Sequence, residues 1–97
     1  MGWADPHIRV LKQGQEVQFR PSGNSMVGRI NSKQLVTVSP DISDVKVDDI
    51  VLCRVMGRDY LHIVEARKED QYLIRNNRGL TNGWTRQVYG KCIRIED

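Results

Sequence analysis

The 97-residue chain is short of most features that betray a protein's setting. It has two cysteines, Cys53 and Cys92, far apart and in no C-x-x-C pair. That suggests neither a disulfide framework nor a thiolate zinc site, and the two read as reduced packing residues. No stretch approaches the roughly 18 consecutive apolar residues of a membrane span. The opening "MGWADPHIRV" lacks the basic start and apolar run of a signal peptide. We therefore expect a cytoplasmic protein with no membrane anchor. Charge of neither sign is gathered into a block: 15 Lys and Arg stand against 12 Asp and Glu, net +3. So mild and dispersed an excess argues against nucleic acid as the partner. The arginines Arg54, Arg58, Arg67, Arg75, Arg78 and Arg86, with Lys68, read as a solvated surface rather than a binding stripe. Repeats, low-complexity tracts and linkers are absent too, so residues 1–97 read as one domain with a single modest core.

What is present is strand pattern. "HIRVL" and "EVQFR" alternate apolar and polar residues across a "KQGQ" turn. "LVTVSP" and "VKVDDIVLCRV" are rich in β-branched residues, and "YLHIVEA", "QYLIRN" and "VYGKCIRIE" complete the set. Turn chemistry separates them at residues 21–24, 39–41, 57–59, 78–79 and at Asn82-Gly83. The one helix expected is a single turn after Asn24, from Ser25 to Gly28 or a little beyond. Short strands with regular turns predict a mostly β fold, an antiparallel sheet curled into a small, partly open barrel.

Within "PSGNSMVGRI" (residues 21–30) Ser25 opens that turn. Two roles fit it. Asn24 or Ser25 could cap the turn by accepting a bond from a backbone amide. Alternatively Ser25 is a nucleophile, which requires a base to take its proton and amide donors where an oxyanion would form. Of the two histidines, His7 beside Pro6 reads as a surface residue. His62 lies within a strand, on the face shared by Tyr60 and Val64, opposite Leu61 and Ile63. It is either a core histidine bonded to a backbone carbonyl or the base that Ser25 needs.

The order of these segments resembles the signal peptidase and LexA-type repressor superfamily of serine peptidases, over residues from about 17 to 95. The serine box of that family is similar to "SGNSMVGRI", with Ser25 in the nucleophile's place and Gly28 where proline is usual. Its Gly-Asp-hydrophobic box is similar to "DDIVLCRV", Asp48 replacing the glycine and Asp49 matching the aspartate. Its base-bearing strand is similar to "LHIV", with His62 where bacterial relatives carry lysine. Its last box, "GDNR-x-N-S" followed by a glycine between hydrophobic residues, resembles "RNNRGLTNGWTRQVYGKCI". There Asn76, Asn77 and Arg78 match DNR, and Tyr89-Gly90 the closing pair.

The resemblance implies the fold of that catalytic domain, a coiled and partly open β-barrel, and a Ser25 nucleophile with His62 as general base. It implies oxyanion or orienting roles for Asn24, Ser25 and Asn76, the last standing where relatives place an aspartate; Asp59 and Asp70 are substitutes for that aspartate. A histidine base needs less desolvation than a lysine, since an imidazole near pKa 6.5 is already largely neutral at pH 7. No metal or other cofactor is implied. No segment of these 97 residues resembles the membrane anchor of signal peptidases, or the DNA-binding segment and the Ala-Gly or Cys-Gly autocleavage site of the repressors, so neither the membrane role nor the autocleavage role is expected. The expected function is hydrolysis of a peptide bond in an extended protein segment by a free-standing domain of phage or bacterial style. The alternative is an idle relative serving as a peptide-binding or regulatory module.

Overall fold

Asp5 and Pro6 stand where a helix can start. In the computed structural model, which describes residues 2–97, they open α1 (Asp5–Lys12). The expected "HIRVL" strand is thus overturned. Proline suits a first helical turn because its missing N–H is not needed there. Asp5 in the first turn, with Arg9 and Lys12 in the last, complements the helix dipole. Ala4, Ile8 and Leu11, spaced four and three apart, form one buried stripe. The five-residue alternation that suggested a strand is a fragment of this longer period.

Seven strands follow: β1 (Val17–Phe19), β2 (Leu35–Ser39), β3 (Ile50–Val55), β4 (Arg58–Lys68), β5 (Gln71–Arg75), β6 (Thr81–Thr85) and β7 (Gln87–Glu96). They form one antiparallel, open sheet in the order β1-β2-β7-β3-β4-β5-β6. The expected mostly β, antiparallel class is therefore the observed one. The expected helical turn after Asn24 is a run of non-helical turns, and "TNGWT", read as a turn at Asn82-Gly83, is strand β6. The long "VKVDDIVLCRV" strand shrinks to β3, because residues 46–49 form a turn closed by the Asp49 N–H donating to the Lys46 carbonyl.

Alternation gives the sheet two apolar faces. Ile50 and Leu52 of β3 and Leu61 and Ile63 of β4 join Val36 and Val38 of β2 under α1, with Met26 and Ile30 from the segment after β1. The opposite face gathers Val51, Cys53, Val55, Val64, Tyr72, Ile74 and Val88 around Val45. Burying each large aliphatic side chain contributes about 1.5–3 kcal/mol. Close packing explains Gly90 on β7. A Cβ there would lie 2.6 Å from Val38 Cγ1, 2.8 Å from the Ser39 carbonyl oxygen and 3.1 Å from Leu11 Cδ1. A side chain would push β2 and α1 off the sheet.

The sheet also curls. Although β4 and β5 lie between them in sheet order, β6 returns against β3, and the Thr85 hydroxyl donates to the Arg54 carbonyl at 2.5 Å. Curling carries the β6 side chains back toward β4. Among the described residues no helix is long and apolar enough to cross a membrane.

Candidate active site

His62 occupies the middle of β4, opposite Val51 of β3, and is 5% exposed. Its face is the expected one: the Tyr60 ring stacks on the imidazole with centroids 4.8 Å apart. Pairing between β4 and β5 ends at Ile63 and Arg75, one residue short of His62, so the ring has no β5 neighbour directly opposite. Both ring nitrogens instead meet side chains. Nδ1 lies 2.7 Å from Asn82 Oδ1, and Nε2 lies 3.1 Å from Ser25 Oγ.

The position of Asn82 has a local cause. In the β5 and β6 ladder Ile74 faces Gly83 and Arg75 faces Thr81, so Asn82 is the extra residue of a bulge. A bulge re-aims one side chain out of the regular alternation, and here that side chain meets the histidine. An amide oxygen only accepts, so Nδ1 carries the ring proton and donates it to Asn82. Nε2 then presents its lone pair to Ser25, whose hydroxyl donates. Burial is the main influence on the imidazole and lowers its pKa from the ordinary value, while the Asn82 bond opposes that shift in part. At neutral pH the ring is therefore neutral and can accept a proton.

Ser25 is held on the irregular turn rather than on a strand. Within it Val27 N–H donates to the Asn24 carbonyl, and Arg29 and Ile30 N–H both donate to the Met26 carbonyl. The N–H groups of Ser25 and Met26 are not used by these bonds. A second loop clamps the turn: Asn77 N–H donates to the Ser25 carbonyl at 2.9 Å, and Asn77 Nδ2 donates to the Val27 carbonyl at 2.8 Å. Gly28, at φ +98°, lies under that amide, and a Cβ would stand 3.0 Å from Asn77 Nδ2. Left-handed backbone and close approach both favour glycine there. The Ser25 hydroxyl does not cap the turn; it bonds to His62.

Other expected site residues are placed elsewhere. Asn76 does not orient His62. Its buried Oδ1 accepts from the N–H groups of Arg78 and Leu80 at 2.8 and 2.9 Å and ties residues 76–80 into a turn. Asn24 is exposed and contributes its carbonyl to the turn. Asp59 is paired with Arg54 at 2.6 Å and Asp70 with Arg86 at 3.2 Å, so neither carboxylate serves the histidine. His7 is half-buried, not a surface residue, because it stacks flat on Phe19 with centroids 4.2 Å apart. Trp84 is 45% exposed on the edge strand β6. Of the arginine set, Arg54, Arg75 and Arg86 are engaged with aspartates, and Arg67 donates to the Val45 carbonyl over the buried Tyr72 ring. The residue that sequence reasoning missed is Asn82. Its only signal was the pair of threonines and the tryptophan around Asn-Gly in "TNGWT", residues that favour strand.

The segments quoted in sequence as separate boxes meet in space. Arg29 of the serine turn bonds to Asp48 at 3.2 Å, and Arg75 at the end of β5 approaches the same carboxylate at 3.8 Å. Asp48 itself sits at φ +79°, a left-handed position where glycine is at ease. Asp49 Oδ2 accepts from Lys46 N–H at 2.8 Å, and the Asp49 carbonyl accepts from Val64 N–H, also at 2.8 Å, beside β4. A cleft of about 390 Å³ opens at Ser25 and His62 and runs beneath Trp3, His7 and Phe19. Among the described residues no group of three or more His, Cys, Asp or Glu side chains is placed to hold a metal ion. No protein-family model and no curated protein matches the chain.

Proposed function

We propose that this protein is a serine peptidase of the signal peptidase and LexA-type superfamily, its sheet being the partly open coiled barrel of that catalytic domain. It cleaves a peptide bond in an extended protein segment. The observation that carries the reading is the chain of contacts from Ser25 Oγ through the neutral His62 ring to Asn82. Ser25 Oγ attacks the carbonyl carbon while its proton passes to His62 Nε2. The C–N bond then breaks, and the departing amine takes that proton. Water, deprotonated by the same nitrogen, releases the acyl group as a carboxylic acid, and the proton returns to Ser25. The N–H groups of Ser25 and Met26 are the donors assigned to the developing oxyanion.

A second reading rests on one observation: the residue behind His62 is an amide. Asn82 holds the tautomer but supplies no charge to stabilise the imidazolium, the role a carboxylate fills in an efficient triad. That favours an idle peptide-binding module. Labelling with a fluorophosphonate probe separates the two. The peptidase reading expects labelling that disappears in Ser25→Ala. No labelling, or labelling indifferent to that substitution, would leave the binding module.

A further inference from the structure

We propose that Asn82 is a site of self-modification, its side-chain amide hydrolysing in the folded protein to a carboxylate that then stands behind His62. The change at the ring rests on geometry alone. The gain in rate that follows from it rests on the peptidase reading.

Asparagine is a thermolabile residue, and its amide is lost fastest where glycine follows, because no side chain screens the next nitrogen from the amide carbon. Of the five asparagines, Asn24, Asn31, Asn76, Asn77 and Asn82, only Asn82 precedes glycine. Gly83 stands at φ +132°, where any other residue is strained, so the fold keeps glycine there. Asn82 is half-buried on the edge strand β6 and is the extra residue of its bulge, where ladder bonding is interrupted. Water reaches it, and its backbone is less firmly held than that of a central strand.

The hydrogen bond from His62 gives the site its chemistry. Nδ1–H donates to Asn82 Oδ1 over 2.7 Å, which draws electrons from Cγ and stabilises the charge that grows on the oxygen as a nucleophile adds. The Gly83 nitrogen bonds to Cγ and gives up its proton, the bond from Cγ to Nδ2 breaks, and ammonia leaves. A succinimide ring remains. Water then adds at Cγ, the carbonyl that His62 polarises, the bond from Cγ to the Gly83 nitrogen breaks, and that nitrogen regains a proton. One water is consumed, one ammonia is released, and residue 82 becomes aspartate in an unaltered main chain. Opening at the other carbonyl would give isoaspartate, which lengthens the β6 backbone by a methylene and breaks its register with β5.

None of the ring's bonded or stacked neighbours is charged: they are the Tyr60 phenol, the Ser25 hydroxyl and the Asn82 amide. A carboxylate on Nδ1 favours the protonated ring and supplies the charge that an amide lacks. His62 then titrates at higher pH and is the stronger base.

The test warms the purified protein at mildly alkaline pH and follows residue 82 by peptide mapping, with fragmentation that separates aspartate from isoaspartate. The tryptic peptide Gly79–Arg86, free in solution, is treated alongside. We expect Asn82 to convert faster than the other asparagines, giving mainly aspartate in the folded protein and mainly isoaspartate in the free peptide. In NMR titrations His62 of the converted protein should protonate at higher pH than in fresh protein and match Asn82→Asp. Asn82→Gln, whose amide lacks this reactivity, should keep its own titration unchanged through the same treatment. Fluorophosphonate labelling should rise roughly ten-fold on conversion. Asn82 as durable as the other asparagines, isoaspartate as the main product in the folded protein, or an unmoved His62 titration would overturn the inference and leave the peptidase reading standing. So would Ser25-dependent labelling that does not rise on conversion. Conversion with the expected titration but without Ser25-dependent labelling would sustain the modification site and overturn the peptidase reading.

Discussion

His62 and Ser25 come to one hydrogen bond from two unlike kinds of structure. The histidine sits on β4, an eleven-residue strand with partners on both sides and with the fully buried Ile63 and Val64 as its next neighbours. The serine sits on a turn with no ladder, held by the two Asn77 bonds, by Gly28 N–H donating to Asn31 Oδ1 and by the contact of Arg29 with Asp48. A strand anchored in both cores opens only when the fold opens. A turn held by a few polar contacts, each contributing about 0.5–1.5 kcal/mol, can shift locally. One half of the Ser/His pair is therefore set by the core, and the other by a clamp.

The largest expected effect tests whether the pair reacts at all. Ser25→Ala should reduce peptide cleavage or probe labelling on the order of 10³-fold or more, with the thermal midpoint nearly unchanged because the half-buried hydroxyl adds little packing. An unfolded variant, or one that keeps the activity, would contradict this. Next comes the contrast between strand and clamp. Ile63→Ala should cost about 2–5 kcal/mol in urea unfolding. Asn77→Ala should cost only about 1 kcal/mol yet slow the reaction by up to about 100-fold, because displacement of Ser25 spoils the attack geometry. If Asn77→Ala weakens the fold as much as Ile63→Ala and spares the rate, the comparison fails.

Smaller effects sharpen the histidine's side. Activity requires the neutral imidazole, so it should rise with pH through an apparent pKa below the ordinary value of about 6.5 and level off by neutrality. Asn82→Asp would place a carboxylate on Nδ1, move that limb to higher pH and raise the plateau rate by roughly ten-fold. A limb that stays in place would show that residue 82 does not govern the ring. The smallest effect is on stability. Burial lowers both His7 and His62, so as pH falls through about 6.5 the unfolded chain gains protons that the folded one does not yet take up. Stability should thus decline from pH 7.5 toward pH 5.5, and His62→Gln should flatten part of that slope in urea titrations. A slope identical in the variant would assign the effect elsewhere.

Most strands were legible because a two-residue period needs only a short window, as in "QYLIRN" or "YLHIVEA". The same short window misread α1, where His7-Ile8-Arg9-Val10 alternates by accident inside a helical stripe. The Ser25 turn was legible as irregular chain, but local pattern left its hydroxyl partner open, since a cap and a nucleophile place serine in the same local sequence; the order of segments pointed to His62, which the hydroxyl meets at 3.1 Å.

By itself the sequence determined which residues could do chemistry, which face of β4 His62 shares with Tyr60, and that the chain between β1 and β2 turns at Gly-Asn. These follow from side-chain type and from interactions a few residues long. Only the tertiary structure decided that Asn82 and not Asn76 holds the imidazole, and that Trp3, His7 of α1 and Phe19 of β1 come together along the cleft that opens at Ser25. Both depend on contacts between segments far apart in the chain, created by a bulge in β6, the curl of the sheet and the packing of α1 against Gly90. A register shift of one residue turns a side chain to the other face of a sheet. No local pattern in "TNGWT" records which way that shift falls.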